Sequence, residues 1–577
     1  MTRVVRFAAL AVAVAVILTD AYYLSFLEPG VSRKVMAAAL LAVCAAMTAL
    51  TYWDPPRRRE DWAALGRRSA EPVLLIAILG LAFGLRLWGI TASLPQSYVS
   101  DEYDFVHAGL RMIKGGDLNP HWWFHPSLQR YMAVATYAVV FILGVPRGRW
   151  VHVSDITVED MLYWGRFVGV MSGTLTVLVA YLLGRKLFGA RVGLLSAALL
   201  AVFPAAVQHS QYNKPDPVIA LMTAASVFVT LLYLERGGNA YALASGIAVG
   251  LAASAKYNGI LVVVPFVLAV LFRHGAQALA RPDLYVGAVG TFLGFLMGCP
   301  FFLTEIHLFL DQVAYDISTY AYEGREGAEG VDNWWGHATY TYRYGAGFAA
   351  SLAGLGGLGL TLWRINPARA VFLTFPVMYY GYYGAQRINF RGNLIPVYPF
   401  LAVVAAYAVV ELIEWLGRSP LGRRRYVVPA LAALVLALVI VPPLRTAVRF
   451  DIEATRPDTG TFAREWIDKT FPPGTKFAVE RFTPVLDPKR YQIVQESRLV
   501  NRSVRSYRDE GVQYLIVSSM AYTRYGEEHN QTRSYVKLMA ICPTVQQFDP
   551  IPNQLVGPTI KILRVPPPGS GDENAAP

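Results

Sequence analysis

The feature that most constrains this chain is its long apolar segments, such as those containing Leu175 to Leu183 and Leu431 to Val441. A helix needs about 20 apolar residues to cross the hydrocarbon core, so runs of this kind read as membrane spans. Of the 577 residues, 54% are hydrophobic and 16% charged, where a soluble domain carries about a quarter charged. The spans expected are 5–27, 34–53, 72–90, 162–187, 191–208, 216–234, 240–255, 257–272, 284–304, 346–363, 368–385, 394–416 and 426–443, or about thirteen. The expected fold is an all-α polytopic membrane protein.

Basic residues orient it. Arg57 to Arg59 with Arg67 and Arg68, then Arg185, Lys186 and Arg191, then Arg273 and Arg281, then Arg364 and Arg369, then Arg418 and Arg423 to Arg425 mark loops between spans. Lys and Arg collect in cytoplasmic loops, so these loops are expected inside, with the N-terminus. The same rule assigns the net charge of +12 to membrane topology and not to nucleic acid. Segment 131–145 covers only about 22 Å as a helix. Crossing there would also break the alternation, so it is expected as a re-entrant or interfacial outer helix. Arg3 and Arg6 precede an apolar stretch without a clear cleavage site, which reads as a retained first span. Cys44, Cys299 and Cys542 are scattered and suggest neither a disulfide framework nor a metal site.

The organisation expected is an N-terminal hairpin and loop (1–71), a membrane core (72–443) with outer loops 91–161 and 305–345, an outer domain (444–566) and a disordered tail (567–577). The outer domain shows β-rich runs at Lys476 to Glu480, Val512 to Ser518 and Thr559 to Val565. Helical patterns lie between them at Thr461 to Thr470 and Arg533 to Ala540, so a small α/β fold is expected.

Polar residues concentrate at the outer ends of spans. Ser100-Asp101-Glu102-Tyr103-Asp104 offers adjacent carboxylates suited to a general base and an orienting or metal-binding partner. The bland alternative is an N-cap for a helix starting at Glu102. Lys214 and Asp216 stand at the mouth of a span beside the helix-breaking Pro215 and Pro217, either as site residues or in an interfacial turn. Lys256 lies between apolar halves, where a lysine must snorkel or meet a cavity or an anion. Loop 305–345 mixes acids with aromatics, including Trp334, Trp335 and His337. That mixture suits sugar stacking and equally suits an interfacial aromatic belt. Arg387 and Arg391 are candidate phosphate ligands. The combination fits a substrate with a lipid tail, an anionic head and a sugar.

These residues resemble the GT-C glycosyltransferases, most closely the protein O-mannosyltransferases and the lipid A aminoarabinose transferases. Asp101-Glu102 matches the acidic pair of that family's first outer loop, and His125-Pro126-Ser127-Leu128 its His-Pro-Pro-Leu element, with Ser for the second Pro. Arg166 leads a span, and Gly184-Arg185-Lys186-Leu187-Phe188-Gly189 matches a basic-aromatic loop. Gln211 to Asp216 is similar to an Arg-Tyr-x-x-x-Asp hinge, with Gln in place of Arg. Lys256-Tyr257 and Arg391 to Pro399 complete the set, which covers roughly residues 72–416.

The resemblance implies a GT-C fold and inverting transfer of a sugar from a polyprenyl-phosphate carrier to an acceptor glycan, lipid or protein. No stretch resembles the β-trefoil insert of the eukaryotic mannosyltransferases, so a protein acceptor is not specifically implied. Asp101 would be the general base, and Glu102 would orient substrate. No cofactor is assigned; a divalent cation on Asp101 and Glu102 is the one metal considered. Arg166, Lys256 and Arg391 would meet the donor phosphate, and His125, Asp216, Tyr257, Trp334, His337 and Arg387 complete the expected substrate-binding set. The setting expected is the plasma membrane. The rival readings are a secondary transporter or flippase, with ionisable residues at the midplane, and a non-catalytic scaffold.

Overall fold

The computed structural model describes residues 59–99, 101–323, 333–388, 390–420, 426–523 and 530–567. The expected spans 5–27 and 34–53 lie outside these residues, as does the expected tail 567–577 apart from Pro567. Two compact units emerge. One comprises the described residues up to Ile90, Phe105–Glu323 and the described residues from 333 to Phe450; the other combines Thr91–Asp104 with the chain from Asp451 onward.

Among the described residues, sixteen α-helices run in order to residue 454: α1 (Arg59–Trp88), α2 (Glu102–Gly115), α3 (Leu128–Gly144), α4 (Val158–Phe188), α5 (Ala190–Val202), α6 (Pro204–Ser210), α7 (Asp216–Arg236), α8 (Asn239–Ala255), α9 (Val263–His274), α10 (Pro282–Gly298), α11 (Ile306–Ser318), α12 (Asn333–Tyr340), α13 (Phe348–Trp363), α14 (Pro367–Gly384), α15 (Tyr398–Arg418) and α16 (Val427–Ala454). Among the described residues, seven helices are long and apolar enough to cross a membrane, or eight if the bent pair α5–α6 counts as one. The chain is thus a multi-pass membrane protein, but the thirteen spans read from the sequence are not all present as such. Asn239–Ala255, Pro282–Gly298 and Phe348–Trp363 are shorter apolar helices. Segment 131–145 lies within a helix that starts earlier than its apolar run. Leu128–Arg147 is 20 residues long with a mean hydropathy of 1.5, enough to span.

Local chemistry explains several joints. Thr157 starts α4 with a capping box, its hydroxyl accepting from the Asp160 amide at 3.1 Å while Asp160 accepts from the Thr157 amide at 3.2 Å. Between α5 and α6 the chain bends by 61°. Pro204 has no N–H to give the Leu200 carbonyl. Arg86 takes over that carbonyl through Nη2 at 3.2 Å and binds the Ala201 carbonyl through Nη1 at 3.2 Å. Helices α8 and α10 meet through glycine. A Cβ on Gly250 would lie 2.1 Å from the Thr291 carbonyl oxygen, and one on Gly294 would lie 2.2 Å from that of Ile247. Small residues let the two backbones touch, the usual way helices associate in lipid.

The second unit carries α17 (Thr459–Thr470), α18 (Val504–Asp509), α19 (Ser519–Tyr522) and α20 (Asn530–Ile541). Its sheet contains β1 (Lys476–Val479), β2 (Gln492–Gln495), β3 (Tyr514–Ser518), β4 (Thr544–Phe548) and β5 (Ile560–Arg564), ordered β2-β1-β3-β5-β4. Strands β2, β1 and β3 are parallel, while β5 is antiparallel to both neighbours. Side chains alternate across it. Phe477, Ile516 and Ile562 join Ile467 of α17 in one core, and Ala478, Leu515 and Leu563 join Leu538 of α20 in the other. A sheet covered on both faces needs apolar residues on both, which β3 supplies.

Candidate active site

A buried polar cluster in the first unit forms where two helices are forced to stop. Helix α7 begins at Asp216, next to Pro215 and Pro217. Helix α8 ends at Ala255, and Lys256 takes an extended backbone (φ −157°, ψ 135°) before a short 3-10 turn. The two breaks aim charged side chains at each other. Lys256 Nζ lies 3.1 Å from Asp216 Oδ1 and 3.1 Å from Asn393 Oδ1, with the Tyr383 ring centroid 5.9 Å away. His209 Nδ1 is 3.8 Å from Asp216 Oδ2. Both members of the ion pair are largely buried. Gly392 is required beside them, since a Cβ there would lie 2.6 Å from Asp216 Oδ2. Lys256 therefore neither snorkels nor stands alone. Its charge is balanced by the Asp216 carboxylate, and its ammonium group is also held by Asn393.

The same turn borders an apolar cavity of about 860 Å³, lined by Leu394, Val397, Tyr398, Tyr380, Trp334 and Tyr342 among others. Leu394 follows Asn393 directly, so one 3-10 segment, Arg391–Val397, contributes to both the polar cluster and the cavity wall. Trp334 reaches this wall from α12, its carbonyl accepting from Tyr380 Oη at 2.7 Å. His337 is buried one turn on, and its Nε2 has no hydrogen-bond partner among the described residues. Burial alone pushes its pKa down to about 4.

Tyr257 turns away from the ion pair and donates to the Trp123 carbonyl at 2.6 Å. Trp123 Nε1 in turn donates to Glu305 Oε2 at 2.9 Å, and His121 also binds Glu305. His121 holds Asp117 at 2.9 Å on its other nitrogen. These two carboxylates raise the imidazole pKa above its ordinary value. His125 stacks on Phe105 at 5.5 Å, and its carbonyl accepts from Arg130 at 2.7 Å.

The expected arginines are dispersed. Arg166 is buried and binds the Ile90 carbonyl at 2.9 Å, fixing the end of α1. Arg387 is tied to the Tyr320 and Tyr322 carbonyls. Arg391 is exposed, with its guanidinium 5.4 Å from the Tyr340 ring centroid. The structure thus brings Asp216 and Lys256 together, sets Trp334 and the Arg391 segment on the adjoining cavity, and leaves Arg166 and Arg387 on backbone carbonyls.

The acidic pair belongs to the second unit. Helix α2 starts at Glu102, the start that the capping alternative required. Glu102 is fully buried, and Ser97 Oγ donates to its Oε2 at 2.6 Å. Among the described residues no group of three or more His, Cys, Asp or Glu side chains is arranged to hold a metal. Asp101 and Glu102 would give a cation two carboxylates, one of them already engaged by Ser97.

Sequence reading missed His209, Asn393, Glu305 as the ligand of Trp123, and the fully buried Arg130. Asn393 lies within the Arg391 to Pro399 stretch, but an amide between Gly and Leu carries no signal of its own.

Residues 159–298 match the family model described as dolichyl-phosphate-mannose-protein mannosyltransferase. Over 252 residues the chain is 30% identical to dolichyl-phosphate-mannose–protein mannosyltransferase 1 of Saccharomyces cerevisiae, covering 41% of this chain and 30% of that one. Over 194 residues it is 27% identical to the undecaprenyl phosphate-alpha-4-amino-4-deoxy-L-arabinose arabinosyl transferase of Pseudomonas aeruginosa, covering 33% of this chain and 31% of that one. The aligned parts therefore span about a third of either relative's length. In structure the chain is similar to ArnT from Cupriavidus metallidurans in the apo state, with TM-score 0.53 and 14% identity over 87% of this chain and 98% of that one. It is also similar to the Archaeoglobus fulgidus oligosaccharyltransferase tethered with an acceptor peptide, with TM-score 0.53 and 15% identity over 79% and 70%. At these identities the structural likeness establishes the fold alone. The resemblance to GT-C superfamily glycosyltransferases read from the motifs thus stands on both sequence and fold.

Proposed function

We propose that the protein is an inverting glycosyltransferase that moves a sugar from a polyprenyl-phosphate carrier to an acceptor hydroxyl at the outer face of the plasma membrane. The observation that carries this reading is the Arg391–Val397 turn, which joins the buried Lys256–Asp216 pair to a large apolar cavity. A polyprenyl phosphate is an amphiphile of that shape. Its tail occupies the cavity between α13, α14 and α15, and its phosphate meets Lys256, with Arg391 at the exposed end of the turn. The relatives support the donor class, since one carries dolichyl phosphate mannose in its name and another undecaprenyl phosphate.

In this mechanism the carrier phosphate is the leaving group. Lys256, held in place by Asp216 and Asn393, stabilises the charge that develops on its oxygen. Asp101, by its match to the family motif, takes the proton from the acceptor hydroxyl as the oxygen attacks the anomeric carbon from the opposite face. Glu102 supports it. Arg166, Arg387, His125, Tyr257, Trp334 and His337 shape the loops and walls around the substrate. Reading the basic loops as cytoplasmic puts the N-terminus inside and residues 444–577 outside, with the helix containing 131–145 not crossing.

The test is incubation of the purified protein in lipid nanodiscs with radiolabelled polyprenyl-phosphate sugars and candidate acceptors, followed by separation of products. Label appearing on an acceptor, with free polyprenyl phosphate released in equal amount, is the expected result. Sealed proteoliposomes that move intact labelled donor across the bilayer without transfer would establish the flippase reading instead.

A further inference from the structure

We propose that Tyr98 and Asp458 are positioning residues, which tie the loop carrying the acidic pair to the sheet-containing unit; their effect on turnover rests on the reading of Asp101 as the general base. Residues Thr91–Asp104 group with the chain from Asp451 onward although about 350 residues separate them. The contacts explain why. Tyr98 Oη donates to Asp458 Oδ1 at 2.8 Å. Asp458 is fixed in turn, because it caps α17. Its Oδ1 accepts from the Thr461 amide at 3.1 Å and its Oδ2 from the Thr461 hydroxyl at 2.9 Å. The next residue, Thr459, binds the Val556 carbonyl through its amide at 2.9 Å and the Pro558 carbonyl through its hydroxyl at 2.6 Å. The acceptor for Tyr98 is therefore anchored to the segment that leads into β5.

From Tyr98 the connection runs one residue back. Ser97 is fully buried, and its hydroxyl donates to Glu102 Oε2 at 2.6 Å while its amide donates to Tyr103 Oη at 3.1 Å. A ladder of short contacts thus links Asp458, Tyr98, Ser97 and Glu102, and Asp101 is joined to Glu102 by a peptide bond. A second tie, Arg481 Nη2 to Asp104 Oδ1 at 3.0 Å, is exposed on both sides and adds little. Gly460 is part of the fit, since a Cβ on it would lie 2.6 Å from Tyr98 Oη. Glycine at that place lets the phenol reach the carboxylate.

The experiment uses full-length protein in nanodiscs and three variants, Tyr98→Phe, Gly460→Ala and Asp458→Asn. Amide hydrogen exchange over 97–104 reports the loop without reference to activity, and undecaprenyl phosphate binding and sugar transfer are measured in parallel. Tyr98→Phe is expected to speed exchange at 101–104 by about tenfold, the scale of one charge-assisted hydrogen bond. Turnover should fall by a similar factor, with undecaprenyl phosphate affinity unchanged. Gly460→Ala should act in the same direction. Asp458→Asn keeps an acceptor oxygen and a good N-cap but loses the charge, so its exchange should fall between wild type and Tyr98→Phe. Unchanged exchange in both Tyr98→Phe and Gly460→Ala would overturn the proposal, as would faster exchange with unchanged turnover in an active protein. If the wild type transferred no sugar at all while Tyr98→Phe loosened the loop, the tie would stand and the glycosyltransferase reading would fall.

Discussion

Lys256 Nζ sits 3.1 Å from Asp216 Oδ1, a buried ion pair formed by residues at the ends of two different helices. Removing one partner of such a pair strands the other charge, at about 3–5 kcal/mol. Lys256→Met should therefore destabilise the protein and also weaken undecaprenyl phosphate binding by about 1.5–3 kcal/mol, the scale of a charged hydrogen bond. The double variant Lys256→Met/Asp216→Asn separates the two effects. It should recover most of the stability and none of the affinity, read by thermal melting and by titration. Full recovery of binding would show that the lysine is structural.

Asp101→Asn keeps size and shape but cannot accept the acceptor's proton. Turnover should drop by about 10²–10⁴, with the melting temperature and undecaprenyl phosphate affinity near wild type. Near-normal turnover would move the search for the base to Asp216 and Glu305.

Glu480 gives the second unit a pH dependence. Burial pushes its carboxyl up to about 7, although Tyr535 Oη at 2.5 Å and the Leu499 amide at 3.0 Å pull the other way. A pKa raised on folding means that the neutral acid is the favoured folded form. Its contribution is full below the unfolded value near 4.5 and is lost as pH rises through 7. The gap corresponds to something on the order of 3 kcal/mol. Glu480→Gln should flatten the stability profile between pH 4.5 and 7 and raise the melting temperature at pH 8. A variant that melts lower than wild type at pH 8 would contradict this.

The glycine seam between α8 and α10 predicts an asymmetric response to alanine. Gly250→Ala forces a carbon to within 2.1 Å of the Thr291 carbonyl, so the helices must separate, at a cost of about 1–3 kcal/mol or more. Gly84→Ala, where no atom lies within 4 Å, should be neutral or slightly stabilising. Unfolding in graded denaturing detergent compares the two. Equal effects would mean that the seam is not tightly packed.

What could be read from residues alone follows the physics of each element. Strands β1, β3 and β5 were visible as apolar runs because they are buried in the sheet. Strand β2, Gln-Ile-Val-Gln, and strand β4, Thr-Val-Gln-Gln-Phe, were not, because edge strands keep polar residues toward water. Asp216 and Lys256 each stood out as a charge at a break between apolar segments. Their pairing across 40 positions did not, since only the crossing of α7 and α8 creates it. The full length of α3 is hidden in the sequence because Gln129 and Arg130 look like a helix boundary, whereas both are buried within the helix.

The membership of Thr91–Asp104 in the sheet-containing unit sets a schedule for biosynthesis. The loop is translated early, and its partners follow about 350 residues later. At roughly 5–20 residues per second, that interval is on the order of 20–70 s. Throughout it, Ser97 and Tyr98 have no sheet to join, and Asp101 and Glu102 stand on an unanchored strand of chain. A ribosome-bound intermediate would therefore carry its acidic pair without its final geometry until the last strand of the sheet had been made and folded.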